Sequence, residues 1–345
     1  MLNCENEKHS IWPFSGLVGL GLQMHSVSAA TDEQSDFEIQ RIPVETQVNN
    51  DVNYFDMQIQ PGKKQVIMMK VKNYTDHKVK VKSELRNSMT QVGGGVNFVS
   101  TAKGLDESLK YPLTSIGHVD KKDRVITLNP LETRTVSATI KMPSDGFRGL
   151  VYGDWHFLEE TTSKSKDSHV SSNYAYSMGI ALRGAHYKVY PELKYDSVKP
   201  MLFQKHAAMS INLRNTQPMM LQNVQMKAVI TKQGVFSQKR IFSVNNSKIA
   251  PNSIVTLPVQ WQFDELKPGK YKVQVQVKGE NDWNKLPMTW KFIKNIKVDK
   301  KAADNINDKI MRKPINKWFY ISMATGGLML ISLVELLKLL LTGSK

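Results

Sequence analysis

The sequence predicts an all-β protein: two tandem immunoglobulin-like β-sandwiches followed by one C-terminal transmembrane helix. Three observations carry this expectation. Short segments alternate apolar and polar residues and are separated by turn chemistry at roughly ten-residue intervals, the pattern of half-buried strands. The order of these segments then repeats in the second half of the chain. Finally, Trp318 to Leu341 (WFYISMATGGLMLISLVELLKLLL) is interrupted only by Glu335 and Lys338, and about 20 apolar residues span a bilayer core.

In the first half, Phe55, Met57 and Ile59 alternate with Asp56, Gln58 and Gln60 before Pro61-Gly62 turns the chain. Val66 to Lys72 and the short run around Val79 and Val81 keep the period of two, with Asn73-Tyr74-Thr75-Asp76 as the turn between them. Gly93-Gly94-Gly95 reads as a loop; no Lys-Ser/Thr or helical pattern follows, so it is no phosphate cradle. Val125 to Leu128, Arg134 to Met142, Leu150 to Leu158 and Tyr174 to Leu182 complete the set, with a polar loop at Ser163 to Ser172.

The second half restarts the order. Met209 to Leu213 runs into Arg214-Asn215-Thr216 as Met68 to Lys72 runs into Asn73-Tyr74-Thr75. Val224 to Thr231 follows, then Pro251 leads Val255 to Phe263 as Pro130 leads Arg134 to Met142. Leu266 to Tyr271 opens Lys272 to Lys278, the counterpart of Gly146 to Leu158. These spacings place the first sandwich at 36–184 and the second at 187–298, with a basic linker at 299–317 and the span at 318–341. Trp155 and Trp261 sit on the apolar sides of their strands and are expected in the two cores.

The ends suggest an exported protein. Ile11 to Met24 is an apolar run too short to span, followed by the small residues Ser26 to Ala30, which together read as a signal peptide over 1–30. Residues 342–345 then form a cytoplasmic tail, with the bulk of the chain outside the membrane. Nine Lys/Arg against three Asp between Lys291 and Lys317 oppose that orientation under the positive-inside rule, but long translocated domains escape the rule. The single cysteine, Cys4, precedes the apolar run, so the mature chain relies on its hydrophobic core without disulfides.

A net charge of +16 points to acidic surroundings such as anionic headgroups or acidic polymers. No nucleic-acid motif is present, and no cofactor or metal site is expected: there is no mature cysteine, no His pair at ligand spacing, and no nucleophile-elbow, zinc or phosphate-loop sequence. Asp154 and His156 share one face of a strand, a spacing that suits a carboxylate and base but more simply a hydrogen-bonded surface. Trp283, after Glu280-Asn281-Asp282, and Tyr111, before Pro112, lie in loops and are candidates for ligand or partner contact.

Taken together, NYFDMQIQPGKKQVIMMKVKNYTDHKVKV, ESLKYPL, LNPLETRTVSATIKMP and FRGLVYGDWHF resemble the peptidoglycan-binding domain of WxL-interacting proteins. INLRNTQPMMLQNVQMKAVI, KIAPNSIVTLPVQWQFDELKPGKYKVQVQV and WNKLPMTWKFIKNIKV are similar to that family's C-terminal, WxL-binding domain. Asp154 stands where the family often carries a second glycine. The resemblance implies a non-catalytic Gram-positive cell-surface protein that holds peptidoglycan with one domain and a WxL-domain surface protein with the other. Tyr111, Asp154 and His156 are then candidates for the peptidoglycan side and Trp283 for the partner side. A surface adhesin or chaperone-like subunit-binding protein is the alternative, and a wall hydrolase built on Asp154 and His156 a third reading.

Overall fold

Successive side chains of an extended chain point to opposite faces, so a period of two buries one face of each strand. The computed structural model describes residues 35–160, 173–234, 237–311 and 317–342. The expected signal peptide with Cys4, the polar loop Ser163–Ser172 and residues 343–345 lie outside the described residues. In the first half the strands are β1 (Phe37–Arg41), β2 (Phe55–Gln58), β3 (Lys64–Asn73), β4 (Val79–Thr90), β5 (Val96–Val99), β6 (Gly117–Val119), β7 (Val125–Leu128), β8 (Thr133–Lys141), β9 (Leu150–Glu159) and β10 (Ala175–Arg183). A single helical turn, α1 (Leu113–Ile116), precedes β6. One sheet has the order β1-β3-β8-β6; the other is β2-β10-β9-β4-β5, with β7 beside β4. The core between them contains the fully buried Trp155, Phe157, Phe55 and Met69. Trp155 meets the polar requirement of its indole by donating to Ser83 Oγ at 2.6 Å.

The second half contains β11 (Leu193–Phe203), β12 (His206–Asn215), β13 (Leu221–Lys232), β14 (Lys239–Ile249), β15 (Ser253–Gln260), β16 (Gly269–Asn281) and β17 (Pro287–Val298). Its sheets are β11-β12-β15 and β14-β13-β16-β17, all antiparallel. Trp261 lies in this core, edge-on to Tyr271 at 6.2 Å. The internal repeat is visible strand for strand: β1-β3-β8 corresponds to β11-β12-β15, and β4-β9-β10 to β13-β16-β17. This is an immunoglobulin-type Greek key in which the fourth strand, β14, pairs with the third instead of the fifth.

The repeated asparagine explains why the turn motif recurs. Asn73 and Asn215 are both fully buried at the ends of β3 and β12. Asn73 Nδ2 donates to Asn129 O (2.9 Å), and Asn215 Nδ2 to Ala250 O (3.0 Å), each tying the strand end to the loop that enters the equivalent next strand. A buried amide that satisfies turn backbone in this way is costly to replace. On β9 it is Gly153 that allows a close approach: a Cβ there would lie 2.3 Å from Arg86 O and 2.5 Å from Leu113. Asp154 points to the other face.

The two sandwiches meet end to end through a polar, buried junction. Arg214 Nε and Nη2 donate to both oxygens of Asp106 at 2.7 and 2.9 Å. Thr90 Oγ1 lies 2.6 Å from Ser253 Oγ and accepts from Ala250 N at 2.9 Å. The triple-glycine loop enters here, with Gly93 N donating to Thr256 O and Gly95 N to Lys248 O, both at 2.8 Å. Gly94 has φ +99°, and a Cβ on it would sit 2.3 Å from Ser247 Oγ. Only glycine fits both the space and the backbone.

At its opposite end the second sandwich carries the chain's exit. The stretch expected as a basic linker opens with α2 (Lys300–Asn307), whose N-cap Asp299 accepts from Ala302 N at 2.7 Å. Ala303 is buried, Ile306 and Ile310 pack on the core, and Asn307 bonds both N and O of Leu266. Met311 N then donates to Lys205 O at 2.7 Å, fastening the chain to the β11–β12 turn. Six residues further on, α3 (Lys317–Thr342) begins. It is the one described helix long and apolar enough to cross a membrane, and it is exposed over Lys317–Leu339. Glu335 and Lys338 pair along it at 2.9 Å.

Candidate functional site

The outer face of the five-strand path β2-β10-β9-β4-β5 gathers the unusual side chains of the first sandwich. Alternation along β9 turns Trp155 and Phe157 inward and Tyr152, Asp154 and His156 outward. Tyr152 meets the Phe98 ring of β5 at 5.7 Å, and the Arg86 guanidinium lies 5.9 Å from that ring. Half-buried rings lie along this face.

Two guanidiniums on this face are locked. Arg86 forks onto Asp154 at 3.0 and 2.6 Å, and Arg183 onto Asp56 at 2.6 and 2.5 Å. Asp154 is fully buried and Asp56 nearly so. Bidentate pairs of this kind fix the position of both groups. The Asp56 hydrogen bonds raise the Arg183 pKa, and the guanidinium also stacks 4.7 Å from the Tyr187 ring. Tyr152 is pushed up to about 12, mainly by burial and then by Tyr54 and the Asp154 and Asp282 charges. Burial, then the Arg86 charge, lowers the His156 pKa, so the imidazole is neutral at pH 7, with Nδ1 3.1 Å from Ser177 Oγ.

The face runs into a cleft of about 430 Å³ at the junction of the sandwiches. Tyr54, Tyr152 and Arg183 line it from the first, Met220, Asp282 and Trp283 from the second. Trp283 is fixed by its indole N–H, which donates to Val189 O at 2.8 Å, and packs on Tyr190 at 5.6 Å. Asp282 is engaged by Gln222 and by Lys285. Among the described residues no group of three His, Cys, Asp or Glu side chains is placed to hold a metal ion.

The candidates read from sequence therefore fall in two places. Asp154 and His156 lie on this one face, and Trp283 lines the cleft it opens into. Tyr111 is elsewhere: its hydroxyl donates to Asp145 Oδ2 at 2.6 Å, beside a broad depression near Lys64 and Lys141 that shares no lining residue with the cleft. Asp154 offers no spare charge, since Arg86 takes both its oxygens. Sequence reading passed over Tyr54, Phe98 and Tyr152. Only Tyr152 had a visible signal, sharing the outward side of β9 with Asp154 and His156. The strand Lys272–Lys278 is interior to its sheet, paired with β13 on one side and β17 on the other, and has no free edge to take an incoming strand. The edges there are β14 and β17.

Two family models match the chain: "WxL Interacting Protein, peptidoglycan binding domain" over residues 37–159 and "WxL Interacting Protein, host binding domain" over 165–308. The second begins before β10, which nevertheless completes a sheet of the first sandwich. No curated protein matches the sequence. Similar solved structures include the class 5 fimbriae chaperone CfaA (10% identity, 75% of this chain and 98% of that one, TM-score 0.30). Others are the Salmonella enterica SafA pilin in complex with the SafB chaperone (10%, 76% and 99%, 0.33) and the E. coli chaperone DraB (14%, 70% and 93%, 0.29). Scores near 0.3 carry no argument about function. The two family matches fall in the expected order and cover most of the described residues, and the chain belongs to the WxL-interacting protein family.

Proposed function

We propose that this protein is a non-catalytic scaffold anchored in the membrane by α3, with the two sandwiches facing the wall. Residues 36–184 hold peptidoglycan and residues 187–298 hold a protein partner. The family description names a host for the second part, and the WxL-domain surface protein expected from sequence is the partner we assign to it. An incoming strand would add to β14 or β17, whose outer edges carry no strand partner among the described residues.

One observation supports the assignment of the glycan side. Tyr152 and Phe98 lie on a sheet face continuous with the Tyr54-lined cleft, next to guanidiniums held rigid by buried carboxylates. Sugar rings stack on such faces through their apolar C–H surface, while fixed polar groups set orientation. The locked Asp154 and neutral, half-buried His156 favour binding over hydrolysis. The experiment is co-sedimentation of the full chain in detergent with insoluble peptidoglycan. Tyr152→Ala should lower the bound fraction at least about tenfold, the scale expected for truncating an anchoring aromatic, while Tyr111→Ala changes it little. The reverse order would move the site to the Lys64–Lys141 depression, and released wall fragments that disappear in His156→Ala would restore the hydrolase.

A further inference from the structure

The outer face of β14-β13-β16-β17 sets lysines around an exposed apolar row. Reading across the register, one row is Ile241–Val229–Gln274–Ile293. Ile241 and Ile293, on the two edge strands, are 53% and 61% exposed, large values for isoleucine. The row on one side holds Ser243, Lys227, Gln276 and Lys291; the row on the other holds Lys239, Thr231, Lys272 and Asn295. Lys270 opposes Lys297 in the next row, and Lys278 lies toward the far end. None of these lysines forms an ion pair with a carboxylate among the described residues. The nearest acid on the same side of β16 is Glu280, at the far end, where Asn223 bonds it. A shallow depression of about 300 Å³ over Val229, Gln274 and Ile293 marks the centre.

We infer that this face docks on an anionic lipid surface, with the lysines over headgroups and the isoleucine row in the interface. The inference rests on α3 being the anchor. Met311 is fastened beneath the same sandwich, and the six residues to Lys317 cover at most about 20 Å when extended. The face is thus held within reach of the bilayer at high effective concentration, where weak attraction is enough. Lysine rings around a small apolar centre suit headgroups, which attract basic residues additively and without fixed geometry. Most protein interfaces, by contrast, are depleted in lysine.

The test uses the full chain with Cys4→Ser and a single environment-sensitive fluorophore at Ile293→Cys, mixed with an excess of vesicles. Neutral phosphatidylcholine vesicles are compared with vesicles containing 30% phosphatidylglycerol, and a label at Lys199→Cys on the opposite sheet is the control. The expected result is a blue shift at position 293 only, only with anionic vesicles, reversed by about 0.5 M salt and lost in Lys272→Glu/Lys291→Glu. Equal emission from both vesicle types overturns the inference and leaves the face for an acidic protein or polymer. Carbonate extraction on the same samples reports the anchor separately. A chain that is extracted but still shifts with anionic vesicles keeps the docking and removes the α3 reading; a chain that resists extraction without shifting does the reverse.

Discussion

The two sandwiches share a strand plan but treat their positive charge in opposite ways. On the outer face of the first, Arg86 and Arg183 are each forked onto a carboxylate that is buried to within a few per cent. On the outer face of the second, the lysines stand without acidic partners among the described residues. A guanidinium locked in this way makes a shape with a fixed hydrogen-bond pattern and little net charge. Unpaired lysines make a diffuse field that salt screens. The same scaffold therefore carries a geometric recognition surface in one copy and an electrostatic one in the other, because ligand chemistry resides in the side chains grafted onto the fold.

Breaking the locked side should have the larger effect on folding. Asp154→Ala leaves the Arg86 guanidinium, itself largely covered, without its partner, and removal of one member of a buried pair costs about 3–5 kcal/mol. Lys272→Ala on the other face should stay within about 0.5 kcal/mol of the parent. Denaturant unfolding of the two variants measures the contrast directly. Equal losses would mean that the first-sandwich pair is not the structural lock described here.

The junction offers the next largest effect. Gly94→Ala must shift Ser247 or the loop, and a non-glycine at that φ adds strain of about 1–3 kcal/mol. We expect the two sandwiches to uncouple, so that one thermal transition becomes two. Gly104→Ala is the control, since it also has positive φ but nothing within 4 Å of the added Cβ. A single transition in Gly94→Ala would show that the remaining polar contacts suffice to couple the sandwiches.

Acid should act on the same place more weakly. Burial pushes the Asp106 pKa up, but hydrogen bonds from Arg214 and Ser108 outweigh it and hold the carboxyl below its ordinary 3.8. The pair's contribution is therefore fully present above that value and is lost as pH falls through the lowered one. Small-angle scattering should record an opening of the two-sandwich unit only below about pH 3.8. In Asp106→Asn the acid-dependent step should disappear.

Much of this plan was legible as pattern. The period of two located most strands, and the asparagine that recurs in the turn after β3 and β12 aligned the halves, because one buried asparagine does the same job at Asn73 and Asn215. β14 escaped because its exposed Ile241 and the bulges against β13 break the alternation. β11 escaped because Pro200, tolerated on an edge strand, argues against a strand at all. The candidate site was far less visible. Arg86 and Asp154 are 68 residues apart, Arg183 and Asp56 127, and no local rule links them. Asp154 could be seen as a charged residue on a core strand, but its being spent on Arg86 could not.

The docking of α2 also sets how the molecule meets a pull on its C-terminal end. Such a load enters at Met311 and bears first on the single hydrogen bond to Lys205, then on a two-turn helix held by Ala303, Ile306 and the paired bonds of Asn307. Only after these yield does it reach β17, whose ladder to β16 runs the whole length of the sheet and must be sheared as a unit. Peeling eight helical residues from 1.5 to about 3.4 Å each releases roughly 15 Å of chain. Tension is thus absorbed in a small, refoldable extension before either sandwich is disturbed.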